Sequence, residues 1–125
     1  MNNFVYGNET YQNYENICGG TGAGDGFNGA SAVHSHMTNT RMTDPEVLEN
    51  RFPVRLEEFS IRKGSGGQGA FVGGDGIVRK LGCLTERTAT VLTSPRKTAP
   101  FGAGGGAAGT APSKQPPRAR HGRLI

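Results

Sequence analysis

The chain has 125 residues, of which 34% are hydrophobic and 21 are glycine, with no tryptophan. That length holds one domain at most, and glycines lose the most backbone freedom on ordering, so an independent core would be thin and a piece of a larger fold is expected. The net charge of +4 resides in Lys114, Arg118, Arg120 and Arg123, because residues 1–110 carry ten basic and ten acidic side chains; this Pro-rich tail has no aromatic residues interleaved for base stacking, so nucleic acid is not an expected partner.

Cys18 and Cys83 lie far apart and neither belongs to a CxxC pair, which removes the zinc-finger and dithiol readings. The polar start Met1-Asn2-Asn3 does not read as a signal peptide, and no stretch approaches the ~18 apolar residues of a membrane span. A cytosolic, reduced protein with no membrane partner is the expectation.

In chain order, residues 3–17 alternate aromatic and polar positions (Phe4, Tyr6, Tyr11, Tyr14), as a strand and turn leading into a further extended or short helical piece would. Residues 18–29, CGGTGAGDGFNG, are half glycine, a density that regular elements do not tolerate, so they form a long loop. Residues 31–37, SAVHSHM, alternate in the manner of a strand that would project His34 and His36 from one face. Two imidazoles so placed can share a metal, although structural histidines bonded to nearby backbone fit the same pattern.

Thr43-Asp44-Pro45-Glu46 predicts a helix start, with Thr43 as cap, Glu46 as its capping-box partner and Pro45 in the first turn. Pro53 ends that helix near Asn50 or Arg51. Apolar positions 54, 56, 59 and 61 slip phase at Glu57-Glu58, which predicts a bulged strand or two short ones. Residues 64–69 are a second glycine loop, and residues 73–76 (GGDG) read as a hairpin turn around Asp75. Strands are predicted over 77–84 and 88–93, so residues 54–95 read as antiparallel sheet. The fold class is therefore α+β, mainly antiparallel sheet with long glycine loops and one short helix. Residues 1–109 form the folded segment and 110–125 a disordered basic tail.

Two GxGxxG strings, at Gly24 and at Gly64, lack the strand before and the helix after that a dinucleotide site requires. Neither a Ser or Cys triad nor a pair of carboxylates in an apolar setting can be read from the sequence.

The longer blocks YENICGGTGAG, VHSHMTNTRMTDPEVLENRFPV and RKGSGGQGAFVGGDGIVR resemble the C-terminal part of hydantoinase B/5-oxoprolinase enzymes, over residues 4–109. The resemblance implies an ATP-dependent hydrolase of cyclic amides, such as 5-oxo-L-proline opened to L-glutamate. It implies ATP and a divalent metal ion bound outside this segment, and none is expected for the segment alone. The implied partners are an A-type subunit or domain and the remaining N-terminal part of the B-type half. A non-catalytic module that docks on the A-type partner is the alternative. On this background Gly19, Gly20, Gly22 and Gly24 are candidates for a loop approaching substrate or an oxyanion, and His34, His36, Asn39 and Arg41 are candidates for orienting it.

Overall fold

A computed structural model describes residues 2–35, 38–93 and 97–113. Its architecture is α+β, with antiparallel strands and one short helix. Strand β1 (Asn2–Gly7) and strand β2 (Gln12–Ile17) form a hairpin in register from Asn2↔Ile17 to Gly7↔Gln12. Asn8 closes it: its side-chain oxygen accepts from the amides of Thr10 (3.0 Å) and Tyr11 (3.2 Å), a local pairing that favours turns over continued strand.

Helix α1 spans Pro45–Arg51. Its cap is Asp44 rather than the expected Thr43: proline at the first helical position fixes the residue before it as the cap, and the Asp44 carboxylate accepts from the Glu46 amide at 2.9 Å. Phe52, immediately before Pro53, is extended (φ −130°, ψ 143°), which ends the helix where the sequence places its end. Leu48 is the fully buried residue of the helix, and Glu49 anchors the next strand by accepting from the Leu56 amide.

Strands β3 (Val54–Ile61) and β4 (Ile77–Cys83) pair antiparallel, with a register shift between Leu56 and Glu58. The predicted phase slip is thus a bulge. Strand β5 (Thr88–Thr93) does not extend this pair: it hydrogen-bonds to β1, giving a three-stranded sheet in the order β2-β1-β5 beside the two-stranded β3-β4. Residues 54–95 are accordingly divided between two sheets. The connection carries buried Arg87, which donates to the carbonyls of Pro53 and Thr85 and stacks 5.8 Å above both Tyr6 and Tyr11. These contacts turn the chain away from β4 and seat β5 on the open side of β1.

The core is as thin as the composition implies. Tyr6, Leu48 and Val54 are buried, with Phe4, Tyr11, Phe52, Leu81 and Ala89 packed around them. Much of the remaining order comes from backbone. Residues 72–76 run extended between two other segments, with Gly29 N to Val72 O (2.8 Å), Gly74 N to Thr21 O (2.9 Å) and Ala32 N to Asp75 O (3.0 Å) on one side. On the other side Gly73 N donates to Gly67 O (2.9 Å) and Arg62 N to Gly76 O (2.9 Å). A fourth segment joins through Ala107 N to Gln68 O (2.7 Å) and Thr110 N to Ser65 O (2.9 Å), so the hydrogen-bonded body continues past residue 109.

This stack of backbones is possible because a side chain is missing where segments meet. A Cβ at Gly74 would overlap the carbonyl of Ala30, and one at Gly66 would overlap that of Gly73. The predicted hairpin turn at residues 73–76 is replaced by this extended run. Asp75 instead reaches across to the 64–66 turn, accepting from Gly66 N (2.8 Å) and Gly64 N (3.2 Å). Those amides, that of Gly66 first, hold its carboxyl below the usual carboxylate range.

Candidate functional site

The glycine loop and the segment after it are brought together at one point, where Val33 N donates to Gly19 O at 2.9 Å in an isolated bridge. Residues 31–35 are otherwise tied by Ala32 N to Asp75 O (3.0 Å) and Asp75 N to Ser31 Oγ (2.9 Å), and the strand predicted there is not formed among them. Ala32 has φ 55°, a left-handed angle that breaks the extended run before His34. The expected placement of His34 and His36 on one face lies outside the described residues, because His36 does.

His34 is partly buried, and both its ring nitrogens are shielded from solvent with no hydrogen-bond partner. Thr38 beyond it is buried and bonds back to the Ser35 carbonyl through its amide (3.3 Å) and hydroxyl (3.0 Å). Asn39 and Arg41 are exposed. The four candidate glycines have separate fates. Gly20 presses against the Gly74 backbone and Gly24 against the Phe27 ring, whereas a Cβ at Gly19 or Gly22 would meet nothing within 4 Å. Close approach at Gly20 thus serves packing, and open space for another molecule exists at Gly19 and Gly22.

A pocket opens along β2, lined by Tyr14, Glu15, Asn16, Thr40, Arg41, Met42 and Thr43. Beneath it the Glu15 carboxylate receives Arg79 of β4 in a two-pronged bond, Nη2 to Oε1 at 2.9 Å and Nε to Oε2 at 3.1 Å. Both side chains are 3% exposed, so the charges are removed from water together, and the fork geometry satisfies both carboxylate oxygens. The Arg79 guanidinium also lies 5.9 Å from the Phe59 ring centre. At the end of β2, burial pushes the Cys18 thiol up from its ordinary pKa, which makes it a poor nucleophile.

Tyr14, Asn16, Glu15 and Arg79 were not singled out by the sequence. One signal was available: Glu15 shares the parity of Ile17 in an alternating strand, and a charge on an inward parity requires a buried partner. Among the described residues, no group of three or more His, Cys, Asp or Glu side chains could hold a metal ion, and no helix is long and apolar enough to cross a membrane.

The sequence pattern of the family described as Hydantoinase B/oxoprolinase matches residues 1–122. A 5-oxoprolinase of Dictyostelium discoideum is 55% identical over 106 residues, covering 85% of this chain and 8% of the relative. The 5-oxoprolinase 1 of Arabidopsis thaliana is 48% identical over 106 residues, again 85% and 8%, and the 5-oxoprolinase of Saccharomyces cerevisiae is 45% identical over 103 residues, 78% and 8%. The chain thus spans less than a tenth of the length of these relatives. No solved structure matches it. With a family match that runs through the glycine segments, the 34–43 segment and both sheets, the chain belongs to the hydantoinase B/oxoprolinase family.

Proposed function

We propose that these residues form one wall of the reaction chamber in an ATP-dependent cyclic-amide hydrolase of the 5-oxoprolinase or N-methylhydantoinase type. The observation that carries this reading is the 55% and 48% identity to relatives named 5-oxoprolinase across 106 residues. A lactam carbonyl is a poor electrophile, which is why such a reaction calls for activation of its oxygen. Among the described residues no group of three or more His, Cys, Asp or Glu side chains could hold a metal ion, and in this reading the nucleotide and its cation are held by the A-type partner or by the remaining B-type part.

What this chain contributes is position. The backbone stack supplies a stiff support, Gly19 and Gly22 leave room for a close approach, and His34, Asn39 and Arg41, with His36, orient the reacting amide. The test is a chimera in which these residues replace the matching 106-residue stretch of the Dictyostelium discoideum relative. It is expected to retain ATP-dependent opening of 5-oxo-L-proline, while the isolated chain shows no turnover. A folded chimera without turnover, or cleavage by the isolated chain, refutes the proposal. A second reading, a non-catalytic module docking on an A-type partner, is favoured by exposed Leu84 (62%), Leu92 (59%) and Phe101 (89%). An assembled chimera whose turnover is indifferent to changes at His34 and Arg41 selects it.

A further inference from the structure

We infer that the pocket along β2 is a receptor for the carboxylate of a small organic acid, with Arg41 as its charged anchor. Four observations converge on this assignment.

The first is charge. Arg41 is exposed and forms no hydrogen bond or ion pair with any described residue. The acid nearest in the lining, Glu15, cannot neutralise it, because both its oxygens are occupied by Arg79 and its side chain is 3% exposed. Asp44, three residues further on, is turned to the helix as its cap. Among the described residues, the pocket lining therefore carries one positive charge with no direct acidic partner. An arginine fork matches a planar carboxylate with two parallel bonds.

The second is the set of donors. The Tyr14 hydroxyl donates to Asn16 Oδ1 at 2.8 Å, which occupies the amide's acceptor and leaves its NH2 as the group presented. Thr40 and Thr43 add hydroxyls to the lining. The third is the apolar complement: Tyr14, 55% exposed, and Met42 flank these donors, a setting that suits an acid with a compact hydrocarbon body better than a bare inorganic anion. The fourth is support. The Glu15–Arg79 fork pins β2 to β4 directly behind the pocket, which holds the lining in place before any ligand arrives.

Naming the acid as the carboxyl group of a cyclic amide rests on the proposed function, whereas the preference for a carboxylate does not. Amide chemical shifts of the isotope-labelled 125-residue chain are followed during titration with 5-oxo-L-proline, with cyclopentanecarboxylate and with 2-pyrrolidinone, the lactam that lacks the carboxyl group. Both carboxylates are expected to shift Asn16, Thr40, Arg41 and Thr43 saturably, and 2-pyrrolidinone is not. Arg41→Gln should weaken binding about tenfold or more, the usual weight of one charged hydrogen bond, with Arg41→Lys intermediate. Equal shifts from 2-pyrrolidinone, shifts unchanged in Arg41→Gln, or no saturable shift overturn the assignment. In the chimera Arg41→Gln should raise KM for 5-oxo-L-proline about tenfold with a smaller change in kcat, and an unmoved KM counts against the pocket even where the isolated chain is silent. An inactive chimera beside a carboxylate-binding chain sinks the proposed function alone, and an active chimera with an unmoved KM sinks the pocket alone.

Discussion

Alanine at Gly74 and alanine at Gly22 should have opposite effects, although both replace a glycine of the same layer. At Gly74 the new methyl would occupy the space of the Ala30 carbonyl, and the neighbouring atoms are backbone that cannot rotate aside. Overpacking of this kind costs roughly 1–3 kcal/mol. Moving the segments apart also stretches Gly74 N to Thr21 O (2.9 Å) and Gly29 N to Val72 O (2.8 Å), each worth about 1 kcal/mol. The sum, roughly 3–5 kcal/mol, is comparable with the whole stability of a small domain. At Gly22 a Cβ meets nothing within 4 Å, so alanine should be neutral or stabilise by up to about 1 kcal/mol through a less flexible unfolded chain. Urea midpoints of the two variants read the difference, and amide hydrogen exchange locates it: Gly29, Gly73 and Gly74 should lose protection in Gly74→Ala. Equal midpoints would show that the segments are not in the backbone contact described.

Arg79→Met should destabilise by roughly 3–5 kcal/mol, because it strands the Glu15 carboxylate without a partner in a water-free place, and adding Glu15→Leu should restore most of the loss; a denaturation double-mutant cycle measures both. Leu48→Ala, at a fully buried helix position, should cost about 2–5 kcal/mol by the same assay. Burial, partly offset by the Asn13 amide donating at 2.8 Å, pushes the Tyr6 hydroxyl from 10.0 up to about 12. The folded state then holds this proton more tightly than the unfolded chain, so stability is intact below pH 10 and falls as pH rises towards 12; Tyr6→Phe should remove that alkaline loss in a pH series of urea midpoints. For Asp75 the sign reverses: its depressed carboxyl adds stability above the ordinary carboxylate pKa that disappears as pH falls through the lowered value, and Asp75→Asn should flatten the acid limb.

The helix and the five strands were legible in the sequence, whereas the strand expected from residue 31 and the turn expected at residues 73–76 were not formed. Pro45 and Pro53 bracket α1 because proline acts on local backbone alone, and the Glu57-Glu58 slip locates the β3 bulge because side-chain alternation is a local property. Pairing was less legible. The strand at 88–93 was evident, but its partner β1 lies more than eighty residues away, and the Arg87 contacts that redirect the chain involve Pro53, Tyr6 and Tyr11 from three other segments. The glycine segments concealed their order for another reason: what fits them together is an absence of side chains, and such an absence carries no hydrophobic period. The same limit applies to the candidate site. Arg41 could be picked out by its polarity within the family-like 34–41 segment, whereas Tyr14 and Asn16 become its neighbours only once the 40–43 segment lies along β2.

The fork between Glu15 and Arg79 has a bearing on motion. The two sheets share no strand, few apolar side chains lie between them, and this charged fastening joins β2 to β4. Sliding one sheet against the other would part opposite charges that are almost fully shielded from water while paired, so small drifts are opposed more strongly than they would be by an exposed pair. Any rocking of the β2 rim relative to the rest should therefore take the form of rare, abrupt openings instead of a continuous sway.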